Sequence, residues 1–97
     1  MAFIQIVEAR TSNVDALTAL NVEWEQATEG KRTSRSSIVT QDRNDPSRYV
    51  IVVFFDSYES AMENSSLPET AEFGRKQAAL FDAPRVFIDL DVVRDES

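Results

Sequence analysis

The side chains of this chain that could do chemistry are few, and two absences set the limits. The sequence holds no histidine and no cysteine. That removes thiolate nucleophiles, an imidazole base for a serine, the proximal ligand of a haem and the usual ligands of zinc. What remains is an amide and an indole one helical turn apart at Asn21 and Trp24, a guanidinium at Arg35, and phenols at Tyr49 and Tyr58. A strand guanidinium facing a cleft could hold a phenolate or carboxylate through paired hydrogen bonds, and a phenol could pass a proton to a reduced oxygen species. Ser37 has the same strand parity as Arg35 and could add a hydrogen bond, though a serine without a base is no nucleophile.

Each of these groups also has a purely structural reading. Trp24 lies on an apolar stripe and would pack as core, with Asn21 a hydrogen-bonded or surface bystander. Lys31, Arg32, Arg35, Arg43 and Arg48 crowd into one stretch of an acidic chain. They would stay solvated or pair with Asp42 and Asp45, and surface ion pairs carry little functional meaning. Tyr49 opens a strand and Tyr58 a helix, where both could serve packing alone. Asp89 and Asp91 point to one side of a strand; oxygen ligands suit magnesium or calcium, but two strand carboxylates near a terminus read as a solvated face. No metal and no cofactor is called for.

These groups need elements to position them. Ala2 to Glu8 is a short β-prone segment and the first strand. Ser12 and Asp15 have the spacing of a capping box, and Val14, Leu17, Leu20, Trp24 and Ala27 recur every three to four residues, an amphipathic helix closed by Gly30. Ser34 to Asp42 is a second strand, rich in hydroxyls, as befits an edge or the wall of a wet cavity. The turn Asn44-Asp45-Pro46-Ser47 joins it to a third strand, Tyr49 to Phe55.

Asp56 and Glu59 predict a capped short helix carrying Ala61 and Met62, interrupted at Pro68, which starts a second piece running to Phe81. Asn64, Ser65 and Pro68 read as junction residues. Ala71, Gly74, Ala78 and Phe81 make one stripe of the second piece, flanked by Phe73 and Leu80. Asp82-Ala83-Pro84 turns into a last strand, Arg85 to Val93, and Arg94 to Ser97 are expected to fray.

The order β-α-β-β-α-β predicts an α+β, ferredoxin-like domain over residues 1–97: four antiparallel strands with both helical crossovers on one face. Its third strand, YVIVVFF, has no polar side chain from Val50 to Phe55. A half-buried strand should alternate, so both faces must be hidden. One set, Val50, Val52 and Phe54 or Ile51, Val53 and Phe55, lies under the helices. The other needs a cover, and a second copy is the simplest one. A different protein partner is the alternative.

Composition narrows the setting. A net charge of −7 over 97 residues argues against binding a nucleic-acid backbone. No run of about 18 apolar residues could span a membrane, and MAFIQIVEAR lacks a basic leader, so a cytoplasmic protein is expected. Asn64-Ser65-Ser66 matches a glycosylation pattern that carries little meaning without a secretory signal.

In element order, length and the all-apolar third strand, the chain resembles the dimeric α+β barrel superfamily, in particular the small proteins grouped with antibiotic biosynthesis monooxygenases. The stretch from Asp42 to Phe73, DRNDPSRYVIVVFFDSYESAMENSSLPETAEF, is similar to that of a bacterial subgroup without an assigned activity. The resemblance implies a homodimer, a ligand cleft between helices and sheet, and activities ranging from cofactor-free oxygenation of polycyclic phenols to haem degradation. Haem-degrading members use a histidine, which this chain lacks. Oxygenase members line their clefts with Asn, Trp, Tyr and Arg; by residue type and face the resemblance implies Asn21, Trp24, Arg35 and Tyr49 here. A non-catalytic dimeric module, binding a small apolar molecule or serving as a scaffold, is the alternative.

Overall fold

The computed structural model describes residues 1–96. Its elements are β1 (Phe3–Arg10), α1 (Val14–Ala27), β2 (Ser34–Gln41), β3 (Arg48–Phe55), α2 (Tyr58–Ser65), α3 (Pro68–Leu80) and β4 (Val86–Asp91). The strands form one sheet in the order β2-β3-β1-β4, every neighbour antiparallel. This is the ferredoxin-like arrangement, with the second crossover broken into α2 and α3 at Leu67-Pro68. Of the tail predicted to fray, Arg94 pairs with Glu96, and Ser97 lies outside the described residues.

Two helix starts fall one residue later than their capping patterns predict. Asn13, not Ser12, caps α1, its side chain accepting the Ala16 N–H at 3.1 Å. Thr11 fixes that entry, because its hydroxyl accepts the Asn13 N–H and donates to the Leu80 carbonyl. Ser57, not Asp56, caps α2 by accepting the Ser60 N–H. In both pairs two adjacent residues have capping chemistry; at α1 the Thr11 contact selects Asn13, and at α2 the Asp56 carboxylate is taken up by Arg35.

The far end of α1 also stops early. Thr28 donates both its N–H and its hydroxyl to the Trp24 carbonyl, at 3.0 and 2.7 Å, ending the helix before Gly30. Gly30 then turns the chain with φ of +80°, a conformation that glycine adopts without steric cost. Pro68 occupies the first turn of α3 as predicted, where a missing N–H costs nothing.

The β2–β3 turn is closed by its acidic side chains. Asp42 and Asp45 accept the N–H groups of Asn44 and Ser47. Arg10 and Ser47 bind Asp45 and hold its carboxyl down to about 2, the Arg10 hydrogen bond being the larger cause.

The helix side of the sheet carries Ile51, Val53 and Phe55 from β3 and Phe3, Val7 and Ala9 from β1. Phe3, Phe55 and Ala61 form a core under α2, with Val53 packed against it and Tyr58 edge-on to Phe3 at 5.4 Å. Among the described residues the opposite side is covered by no element of this chain. There Ile38, Val52, Ile6 and Ile88 lie in one cross-strand row and Phe54, Ile4 and Leu90 in the next.

Candidate functional site

The helices do not seal the sheet along its whole length. Next to the Phe3–Phe55 core, α1 and α3 stand off β1 and β3 and leave a cleft of about 530 Å³. Its sheet wall includes Val7, Ile51, Val53 and Phe87, and its helix wall includes Asn21, Trp24, Phe73, Gly74 and Gln77. The exposed surface of the lining is mainly apolar, though about half of its residues carry polar side chains that can orient a small molecule.

Trp24 fastens the roof. Its indole N–H donates to the Thr70 hydroxyl at 3.1 Å, its ring lies 5.6 Å from that of Phe73, and the Arg32 guanidinium stands 5.8 Å from the ring centroid. The indole N–H is therefore spent on α3, and the apolar ring surface is what Trp24 offers the cleft. Asn21 precedes it by one turn and also lines the cleft. Among the described residues its amide is in no hydrogen bond, so both its N–H donors and its oxygen are free for a ligand.

Arg35 and Tyr49 lie elsewhere. The pairing of β2 with β3 jumps from Ser34↔Phe55 to Ser36↔Phe54, so Arg35 is the extra residue of a β-bulge. A bulged residue drops out of the strand's alternation, which is why the parity that placed Arg35 beside Ser37 in a cleft fails. Its guanidinium pairs instead with Asp56 on the exposed surface at 2.5 Å. Tyr49 is buried, its hydroxyl accepting from the Gln41 amide at 3.2 Å, outside the cleft lining. Ser37 does line the cleft, and Tyr58 is spent on packing against Phe3.

The sequence pattern passed over several residues of this site. The stripe of α3 predicted as Ala71, Gly74, Ala78 and Phe81 is only half right: Ala71 and Ala78 are exposed, Gly74 lines the cleft, and Gln77 is the buried residue of the helix. The inward face is Thr70, Phe73, Gly74 and Gln77, spaced i, i+3, i+4 and i+7, with polar groups where a packed helix would be apolar. Gln77 accepts a hydrogen bond from Arg85 at 3.0 Å, and Arg85 lies over the Phe87 ring at 5.1 Å. Asn64, read as a junction residue, is buried, and its side-chain oxygen accepts the Thr33 N–H at 3.1 Å.

Asp89 and Asp91 share the helix side of β4, where Asp89 accepts from the Gln5 amide at 3.3 Å. Among the described residues no group of three Asp, Glu, His or Cys side chains is placed to hold a metal ion, and no helix is long and apolar enough to cross a membrane.

Solved structures share this fold over nearly the whole chain. A candidate antibiotic biosynthesis monooxygenase from Chloroflexus aurantiacus is 25% identical with a TM-score of 0.76, the match covering 100% of this chain and 98% of that one. A protein of Mycobacterium tuberculosis is 16% identical, with a TM-score of 0.80 and full coverage of both chains. A candidate antibiotic biosynthesis monooxygenase from Nitrosomonas europaea is 14% identical, with a TM-score of 0.78, over 95% of this chain and 90% of that one. No family model and no curated protein sequence matches the chain.

Proposed function

We propose that the chain is a single-domain enzyme of the kind named for antibiotic biosynthesis monooxygenases, whose solved structures share its ferredoxin-like fold, a cofactor-independent monooxygenase acting on a small aromatic molecule in the helix–sheet cleft. The observation that carries the reading is the unpaired Asn21 amide in a largely apolar cleft of about 530 Å³, one turn from the Trp24–Phe73 pair. A planar phenol would lie against the aromatic surface, and the Asn21 N–H would hold its oxygen as a phenolate.

The electron pair then comes from the substrate. Phenolate reduces dioxygen, one oxygen atom forms a bond to the ring carbon, the hydrogen on that carbon and the phenol proton leave with the other oxygen as water, and a quinone results. No redox group of the protein takes part. The low polarity of the cleft strengthens the hydrogen bond on which this depends.

Oxygen consumption with hydroxyanthrones is the test. Uptake above the uncatalysed rate is expected, falling roughly tenfold or more in Asn21→Ala, the scale of one hydrogen bond to a charged group. Uptake no faster than the uncatalysed reaction, or unchanged in the variant, would remove the assignment. A second reading, a non-catalytic binding module, is favoured by one observation: the Trp24 N–H is committed to Thr70 and neither Arg35 nor Tyr49 reaches the cleft. In that case the same probes bind without oxygen uptake.

The open sheet face belongs to the same proposal. One of its apolar rows extends across all four strands and the next across three, and an isologous pairing with a second copy covers them without any further gene product. We place the homodimer in the bacterial cytoplasm.

A further inference from the structure

Arg85 is the unexpected group in the cleft. The chain carries 17 acidic side chains against 10 basic ones, so a cation has carboxylates available almost anywhere. Arg10, Lys31, Arg35, Arg48, Arg75, Lys76 and Arg94 each pair with one. Among the described residues Arg32, Arg43 and Arg85 pair with none, and of these three Arg85 alone lines the cleft. It is half-buried at the head of β4, facing the cleft, and its one hydrogen-bond partner is the neutral amide of Gln77.

The surroundings hold the guanidinium in place without neutralising it. Gln77 is itself only 5% exposed and accepts from one terminal nitrogen, while the Phe87 ring lies against the guanidinium. Gly74 leaves open the space beside that nitrogen, where an added methyl group would make an ordinary contact at 3.8 Å. Glu25 is the one carboxylate along the described lining, and it makes no ion pair with Arg85. A half-buried cation with fixed orientation and spare N–H donors is a receptor for an anion, because the cost of ordering and partly desolvating it is already met.

We infer that Arg85 makes the cleft selective for a planar aromatic carboxylate, the carboxylate on Arg85 and the ring on the apolar walls formed by Trp24, Phe73 and Phe87. A carboxylate fits better than a phenolate because a guanidinium presents parallel N–H groups that match two oxygens. This rests on the reading of the cleft as a ligand site and adds the class of ligand to it.

Equilibrium dialysis at pH 7.5 with 2-naphthoate and the isosteric, uncharged 2-naphthamide tests the inference. The intact protein is expected to bind the acid at least tenfold more tightly than the amide, the scale of one charge-assisted hydrogen bond. In Arg85→Gln the preference should vanish through weaker binding of the acid, and continued binding of the amide shows that the cleft persists. Arg85→Lys keeps the charge without the fork and should retain only part of the preference. Equal binding of the two probes to the intact protein, or an undiminished preference in Arg85→Gln, would overturn the role of Arg85 and leave the cleft a ligand site. Failure to bind either probe would overturn the cleft reading together with it.

Discussion

Along the middle of the sheet, the helix side reads Ser37, Val53, Gln5 and Asp89 across the four strands, while the row beside it on the open side reads Ile38, Val52, Ile6 and Ile88. The side that the chain covers with its own helices is thus the more polar of the two at this level. Ordinary amphipathic logic would predict the reverse, with the uncovered face polar and the covered face apolar. Polar groups on the helix side make sense if that side is a cavity wall that must present donors and acceptors. An apolar row on the open side makes sense if another surface displaces its water. Under the proposal above, one sheet serves a site on one face and an interface on the other.

The comparison can be broken first where the helix side is packed. Phe55 is 4% exposed and shares the core with Phe3 and Ala61. Phe55→Ala should cost about 3–5 kcal/mol, read from chemical denaturation, because it deletes a buried ring and leaves a void in the core it shares with Phe3 and Ala61. A loss below about 1 kcal/mol would mean that the Phe3–Phe55 end is as loosely built as the cleft beside it.

A smaller change sharpens the contrast. Gly74 lies inside α3, where glycine costs about 0.5–1 kcal/mol relative to alanine, and an added Cβ would make only an ordinary contact with Arg85. Gly74→Ala is expected to stabilise the protein by about that amount in the same denaturation measurement. Destabilisation would show that the helix wall is packed tightly at this point and has no room to spare.

These positions also show how much was legible beforehand. The YVIVVFF run, the break at Pro68 and the Asp/Asn-rich turn after Asp42 are local signals whose physical meaning does not depend on distant contacts, and the fold follows from them. Cap identity needed one tertiary contact, that of Thr11 with Leu80, to choose Asn13 over Ser12. The site needed more. Asn21 and Trp24 follow from helical spacing, but Arg35 was lost to a bulge that no local pattern announces. Gln77 and Arg85 were missed because a polar residue on a helix, or at the start of a strand after a turn, reads as surface. The available signal was the i, i+3, i+4, i+7 spacing of Thr70, Phe73, Gly74 and Gln77, a mixed stripe with a glycine in it.

The claim that the open face is an interface is tested most directly by native mass spectrometry and sedimentation of the intact chain beside Val52→Asp. Val52 sits in the centre of the open apolar row, opposite Ile38 and Ile6. The account predicts a dimer for the natural sequence and a folded monomer for the variant, because a carboxylate buried at the centre of an apolar interface without a partner costs far more than it does on an open sheet. A natural chain that is monomeric at micromolar concentration, or a variant that remains a dimer, would contradict it.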